Sequence, residues 1–318
     1  MRHNEITSRS GLVLVRDLVG IEQDDRPLRR DREGGSRQRL RRGAYVDEAL
    51  WASLTSGERY RARILAVVRT RRRMPVVAYD SAAALWGYPR ASAWPGAVHL
   101  IADPGSAARS KNGVMIHREG LDSADVVDLE GIPVTSPQRT LVDLARAAQF
   151  RDSVSAIDCA LSPVRSTTDN RVTKDQLFEA HERVVSPRGG RQAWKAIEFG
   201  NGLAANAGES ESRVVIFELG FPDPVLQQQH VNPDGGFYYT DTEWPKYRTI
   251  GELDGRGKYL KEEYLGSMTP GEAVYVEKIR EDHLRAEGNS FARWGIPDIR
   301  EPGRLQRILT QAGLPIVR

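Results

Sequence analysis

At 318 residues, 40% hydrophobic and 28% charged, the chain has the composition of an ordinary soluble globular protein with room for two or three domains. One cysteine, Cys159, excludes an internal disulfide framework and a Cys-rich zinc site, and suits a reducing compartment. The net charge of +3 hides an asymmetry: residues 1–75 hold 18 Arg, no Lys and 10 acidic residues, so a head of net +8 precedes a body of net −5.

A basic head on a mildly acidic body predicts a nucleic-acid contact surface at one end. Met1-Arg-His-Asn-Glu5 is followed by no apolar signal core, and no run approaches a membrane span, so the expectation is a cytoplasmic protein with no membrane partner.

Residues 1–48 have the rhythm of a small winged helix-turn-helix. Leu12, Val15, Leu18 and Val19 fall at helical spacing, and Gly20 breaks the segment. A second helix is predicted from about Asp25 through Arg32, with Asp24 or Asp25 as N-cap, Pro27 near its start and Gly34-Gly35 as its stop. Arg37 through Val46 then reads as a basic hairpin that returns along the core through Leu40, Tyr45 and Val46. Eight arginines between residues 26 and 42 fit a recognition helix (Arg29, Arg30) followed by a wing on the phosphate backbone (Arg37, Arg39, Arg41, Arg42). The competing reading is a solvated charged loop.

Gly57 to Arg73 is an amphipathic helix with Tyr60, Ile64, Leu65, Val67 and Val68 inward, ended by Met74-Pro75. Short elements follow: a helix from Ser81 to Trp86, and strands at 97–101, 113–117 and near Val126-Val127. Ser136 as N-cap with Pro137 at the first helical position opens a helix running past Leu141 and Leu144, and another covers Val154 to Leu161. His99 and His117 sit on strand-like alternations with a structural or surface role, and Arg139 and Asp143 form an i,i+4 ion pair.

Residues 5–161 resemble the AbiEi-type antitoxin family. The resemblance is carried by Arg39-Leu-Arg-Arg-Gly43-Ala-Tyr45-Val46, Ser81-Ala-Ala-Ala-Leu-Trp-Gly87, Val98-His99-Leu100, Ile132-Pro-Val-Thr135-Ser136 and Arg139-Thr140-Leu141-Val-Asp143-Leu-Ala145. It implies a DNA-binding winged helix that often represses its own operon, and a next domain that contacts or counters a nucleotidyltransferase-type toxin. Residues 166–202, rich in loop chemistry around two helical pieces (173–185 and 192–199), read as a connector.

In the last third the predicted order is helix (Glu209–Leu219), strand (Val225–Val231), a two-stranded hairpin turning at Trp244-Pro245-Lys246, a helix opened by the capping box Thr269-Pro-Gly-Glu272 and closed at Gly288, a strand (Ser290–Trp294) and a final helix (Arg304–Gln311). Strand alternation puts Glu252 and Asp254 on one face, roughly 6–7 Å apart. Asp241 on the partner strand is placed as a diagonal neighbour at roughly 7–8 Å. Three converging carboxylates suit a hard divalent ion with oxygen ligands.

That order and the acidic hairpin resemble the PD-(D/E)XK nuclease superfamily, in its branch related to very-short-patch repair endonucleases. The matching residues are Glu209-Ser-Glu-Ser-Arg213, Gly220-Phe-Pro222-x-Pro224, Gln229-x-Val231, Asp241-x-x-Trp244-Pro245, Gly251-Glu252-Leu253-Asp254-Gly255 and Glu277-Lys278-x-Arg280-Glu281-Asp282. The resemblance implies metal-dependent phosphodiester hydrolysis, with Asp241, Glu252 and Glu209 on Mg²⁺ (or Mn²⁺) and Gln229 near the substrate. Asp254 stands where the superfamily carries a lysine, which leaves Lys258 and Lys278 as the nearest sources of positive charge.

The expected architecture is therefore an α+β multi-domain chain: a winged helix-turn-helix over 1–56, an α/β antitoxin-like middle domain over 57–165, a helical connector over 166–202 and an αβββαβ nuclease-like domain over 203–318. Besides a reading in which both end domains are docking surfaces for a protein partner, two functions compete on it. One is a DNA-binding, metal-dependent nuclease; the other is an antitoxin-like transcriptional repressor whose nuclease-like tail is catalytically silent.

Overall fold

The structure, a computed structural model, describes residues 11–15, 26–72, 74–254 and 269–317. The chain divides into two compact units, 1–200 and 201–318.

The first unit opens with a three-stranded sheet. Strand β1 (Val13–Leu14) pairs antiparallel with β3 (Ala44–Asp47), which pairs antiparallel with β2 (Arg37–Arg41). Helix α1 (Arg26–Glu33) leads into β2. The helix expected over Leu12–Val19 is thus a strand at Val13–Leu14, where pairing with Tyr45 and Ala44 overrides a spacing that four apolar residues alone do not fix. The rest of that expected helix lies outside the described residues. The β2–β3 turn is Arg42-Gly43, and Gly43 holds φ +83°, a left-handed conformation that favours glycine. The register slips between Arg39 and Arg41, so Leu40 is an extra residue in β2 that packs under the hairpin.

After α2 (Glu48–Ser53), helix α3 (Ser56–Arg69) starts from a capping box formed by Thr55 and Glu58. It is buried on two sides. Ala62 and Ala66 meet Val46, Trp51, Leu14 and Ala44, their small side chains letting the hairpin approach closely. Tyr60, Ile64, Leu65, Val67 and Val68 enter the main core, each full burial of such an aliphatic group contributing about 1.5–3 kcal/mol. That core lies against a five-stranded mixed sheet in the order β6-β5-β4-β8-β7. Its strands are β4 (Val76–Val77), β5 (Val98–Ala102), β6 (Val114–Arg118), β7 (Val126–Leu129) and β8 (Ile132–Thr135). The helices are α4 (Tyr79–Trp86), α5 (Pro137–Ala147, with Ser136 as N-cap) and α6 (Phe150–Leu161). Helices α7 (Lys174–Arg183) and α8 (Gly190–Phe199), read above as a connector, supply Leu177, Ala180, Ala193, Ala196 and Ile197 to the same core.

The second unit is a four-stranded sheet in the order β12-β11-β10-β9: β9 (Val225–Val231), β10 (Phe237–Trp244), β11 (Thr249–Leu253) and β12 (Ser290–Trp294). The β9–β10 and β10–β11 pairs are antiparallel and β11–β12 is parallel. Helix α9 (Ala207–Glu218) precedes β9, and α10 (Pro270–Ala286) precedes β12; short α11 (Ile296–Arg300) and α12 (Pro302–Gln311) follow. The expected element order is met. Trp294 centres the core, its indole N–H donating to Ser212 Oγ at 2.9 Å, and Gly251 on β11 lies under Thr242, Trp244 and Trp294.

Candidate functional site

The basic hairpin presents its arginines unequally. Arg30 on α1 and Arg39 and Arg42 on the hairpin are exposed. Arg37 is half-buried and its Nε reaches Asp31 Oδ2 at 3.2 Å, which ties the strand to α1. Arg41 is half-buried and turned away from Arg39, because the extra residue Leu40 breaks the strand alternation. The side chain of Arg29 lies outside the described residues. Arg30 of α1 and Arg39 and Arg42 of the hairpin therefore face solvent, with Arg37 as a strut between helix and strand.

The middle of the first unit holds a buried ionic network. Arg139, 4% exposed, donates from Nε to Asp143 at 2.8 Å, from Nη1 to Asp125 at 2.9 Å and from Nη2 to Glu119 at 2.9 Å. The pair Arg139–Asp143 is thus no surface i,i+4 contact; it is the centre of a cluster that ties α5 to the turn before β7 and to the end of β6. Burial raises Asp143 to about 7 against the pull of the adjacent guanidinium, and its Oδ2 has no hydrogen-bond partner. Glu119 also accepts from Tyr79 Oη. Tyr79 sits at φ +51°, uncommon for a bulky residue, and stacks on His117 with ring centroids 3.8 Å apart. His117 Nε2 lies 3.2 Å from His99 Nδ1; burial pulls His117 down and His99 down to about 4, so the pair is neutral near pH 7. Both histidines have structural partners.

In the second unit the acids of the hairpin are brought together by arginines. Glu252, on β11, is buried; its Oε1 accepts from Arg280 Nη1 at 2.7 Å and its Oε2 lies 2.8 Å from Arg293 Nη2. The parallel β11–β12 ladder pairs Glu252 directly with Arg293. Arg293 also reaches Asp254 at 3.1 Å, Glu277 at 3.1 Å and Glu281 at 2.9 Å, and Arg280 reaches Glu277 at 2.9 Å and the Tyr239 carbonyl at 2.8 Å. Burial raises Glu252, while both guanidiniums oppose that shift. Asp241 is half-buried. The β10–β11 ladder pairs Thr242, the residue after Asp241, with Gly251, the residue before Glu252.

The other expected site residues stand elsewhere. Glu209 is buried at the start of α9, its oxygens accepting from Ala205 N at 2.7 Å and Asn206 Nδ2 at 2.6 Å. Lys278 is exposed on α10, and Gln229 is exposed on the edge strand β9 opposite Tyr239. Lys258 and Gly255 lie outside the described residues. Both oxygens of Glu252 are taken by guanidinium groups and both of Glu209 by the helix start, and among the described residues no group of three or more His, Cys, Asp or Glu is placed to hold a metal ion. The described donor set does not fit a Mg²⁺ site; it is an ion-pair network in which two arginines occupy the cationic role. Sequence reading gave Arg280 and Arg293 no such role. Arg280 was within reach of it, three residues after Glu277 on a helix, whereas Arg293 arrives only through the β11–β12 register.

No helix among the described residues is long and apolar enough to cross a membrane. Residues 74–191 match the family model described as the AbiEi antitoxin C-terminal domain. Over 234 residues the chain is 29% identical to the uncharacterized proteins MT2308 and Rv2248 of Mycobacterium tuberculosis (strains CDC 1551 / Oshkosh and ATCC 25618 / H37Rv), covering 72% of this chain and 78% of theirs. The crystal structure of the RV2827C protein from Mycobacterium tuberculosis aligns with a TM-score of 0.38 and 16% identity over 72% of this chain and 87% of that one, a likeness too slight to carry an argument.

Proposed function

We propose that the chain is a DNA-binding protein of the antitoxin type, acting as a transcriptional repressor. In this reading α1 and the β2–β3 hairpin are the recognition helix and wing of a winged helix-turn-helix. The segment 74–191 meets a nucleotidyltransferase-type toxin, and the C-terminal unit is a catalytically silent nuclease-like fold. The observation that carries the reading is the exposed arginine hairpin in the same unit as an antitoxin-matching segment. Arg39 sits on the β2–β3 ladder and Arg42 in its turn, both exposed, which places their charges where a duplex backbone can be followed. The Arg139 network ties the middle segment's helix α5 to residues beside its edge strands β6 and β7.

A gel shift on the DNA upstream of the chain's own coding region tests this. Binding should weaken steeply with salt, and an Arg39→Gln/Arg42→Gln variant should lower the slope of log K against log salt by about 0.9 for each phosphate that is no longer neutralised. Binding indifferent to both replacements removes the wing. A second assay bears on the C-terminal unit: supercoiled plasmid with Mg²⁺ or Mn²⁺ should show no more cleavage with wild type than with Asp241→Ala/Glu252→Ala. Metal-dependent cleavage abolished by those two substitutions would replace the silent fold with a nuclease.

A further inference from the structure

Among the described residues, Arg41 at the foot of the hairpin and Arg69 and Arg71 at the end of α3 have no carboxylate partner. Helix α3 ends at Thr70, whose Oγ1 donates to the Ala66 carbonyl at 2.7 Å and whose methyl would lie 3.9 Å from a Cβ placed on Gly43. The Arg42-Gly43 turn therefore packs on the C-terminal end of α3. Arg41 is the last residue of β2 before that turn, Arg69 lies in the last turn of α3, and Arg71 follows two residues later. Arg41 Nε and Nη1, Arg69 Nε and Arg71 Nε are all shielded from solvent and have no hydrogen-bond partner. Among the described residues no carboxylate pairs with any of the three.

The helix end does not account for them. Carbonyls of a last turn attract cations, but here those of Ala66, Val67 and Val68 accept from Thr70 Oγ1 and from the backbone amides of Thr70 and Arg71. Nor is the cluster electrostatically indifferent. Burial pulls both Arg41 and Arg71 below the ordinary arginine range, and the charge of Arg71 adds to the effect on Arg41. Buried guanidinium N–H groups left unpaired beside a like charge are costly, and such an arrangement persists where a ligand supplies the missing acceptors. An anion with several oxygens fits, because the planar guanidinium fork matches phosphate in two parallel hydrogen bonds.

We infer that this seam is a phosphate-binding site formed by Arg41 and Arg71, and that it grips a backbone phosphate of the duplex lying on the wing. The source of the phosphate rests on the DNA-binding reading above; the chemistry of the site does not. The seam extends the footprint from the exposed arginines of the hairpin to the end of α3.

The test uses the full chain with inorganic phosphate and a random-sequence duplex as probes, on wild type, Arg41→Gln and Arg71→Gln. Both variants should melt at or above the wild-type temperature, since each removes half of a repulsive pair; a merely structural role would lower it. In wild type the arginine Nε–H resonances of Arg41 and Arg71 should shift saturably with inorganic phosphate, and Arg71→Gln should abolish the shift at Arg41. The salt slope for the duplex should fall by about 0.9 in Arg71→Gln. No phosphate-induced shift together with an unchanged slope overturns the seam, even if Arg39→Gln/Arg42→Gln still weakens binding and so keeps the wing. A phosphate shift with an unchanged slope overturns the duplex as the source and leaves free phosphate as the ligand. If wild type binds no duplex while the shift persists, the DNA reading fails and the phosphate site stands.

Discussion

Arg139 illustrates how one side chain can decide the character of a domain. Its three donor nitrogens satisfy Asp143, Asp125 and Glu119, which come from three separate places in the sequence, so the guanidinium organises a polar core that apolar packing leaves open. The arrangement is imperfect at Asp143, 1% exposed with one bare oxygen, and burial raises that carboxyl to about 7. Unfolded, the same group titrates near about 4. Between those values the folded protein holds a proton that the unfolded chain has released. The stability tied to this group is therefore full below about pH 4 and is lost as the pH rises through about 7. Thermal melts of wild type and Asp143→Asn over that window should show a smaller fall with rising pH in the variant. Glu252, also raised by burial, is present in both proteins and cancels in the comparison. Equal pH dependence would mean that Asp143 is ionised in the fold throughout.

Among the elements, those with strong local signals were the most legible. Ser136 before Pro137 and the Thr269–Glu272 box fixed two helix starts, and Arg42-Gly43 fixed the hairpin, because caps and turns depend on a few adjacent residues. What depends on distant pairing was not legible. The strand at Val13–Leu14 needs β3 as partner, the alternation of Arg37, Arg39 and Arg41 is broken by a bulge, and Arg293 meets Glu252 only through a parallel ladder. The acidic hairpin was found, but the two arginines that meet Glu252 were not. Helices α7 and α8 read as connector because loop chemistry surrounds them, while their few apolar residues enter the main core. Gly251 shows what a strand glycine signals. A Cβ there would come within 2.5 Å of Thr242 Oγ1, 2.6 Å of Trp294 and 2.9 Å of Trp244. Gly251→Ala should cost the C-terminal unit about 1–3 kcal/mol in urea unfolding by displacing the two indoles. An alanine variant as stable as wild type would show that the sheet yields at this point.

For the whole molecule, the charge asymmetry has a structural counterpart. The positive head is concentrated on α1, the hairpin and the end of α3, where several guanidiniums are exposed or unpaired. The negative charge of the second unit is partly spent internally on Arg280 and Arg293. In the DNA-binding reading proposed above, the first unit meets the polyanion and affinity is governed by phosphate contacts and hence by salt. The most direct test of that claim is the salt dependence of binding to the chain's own upstream DNA, compared between wild type and Arg39→Gln/Arg42→Gln. Wild type should lose affinity steeply with salt, and the variant should show a shallower slope. Absence of binding at low salt, or a slope that the two substitutions leave unchanged, would contradict it.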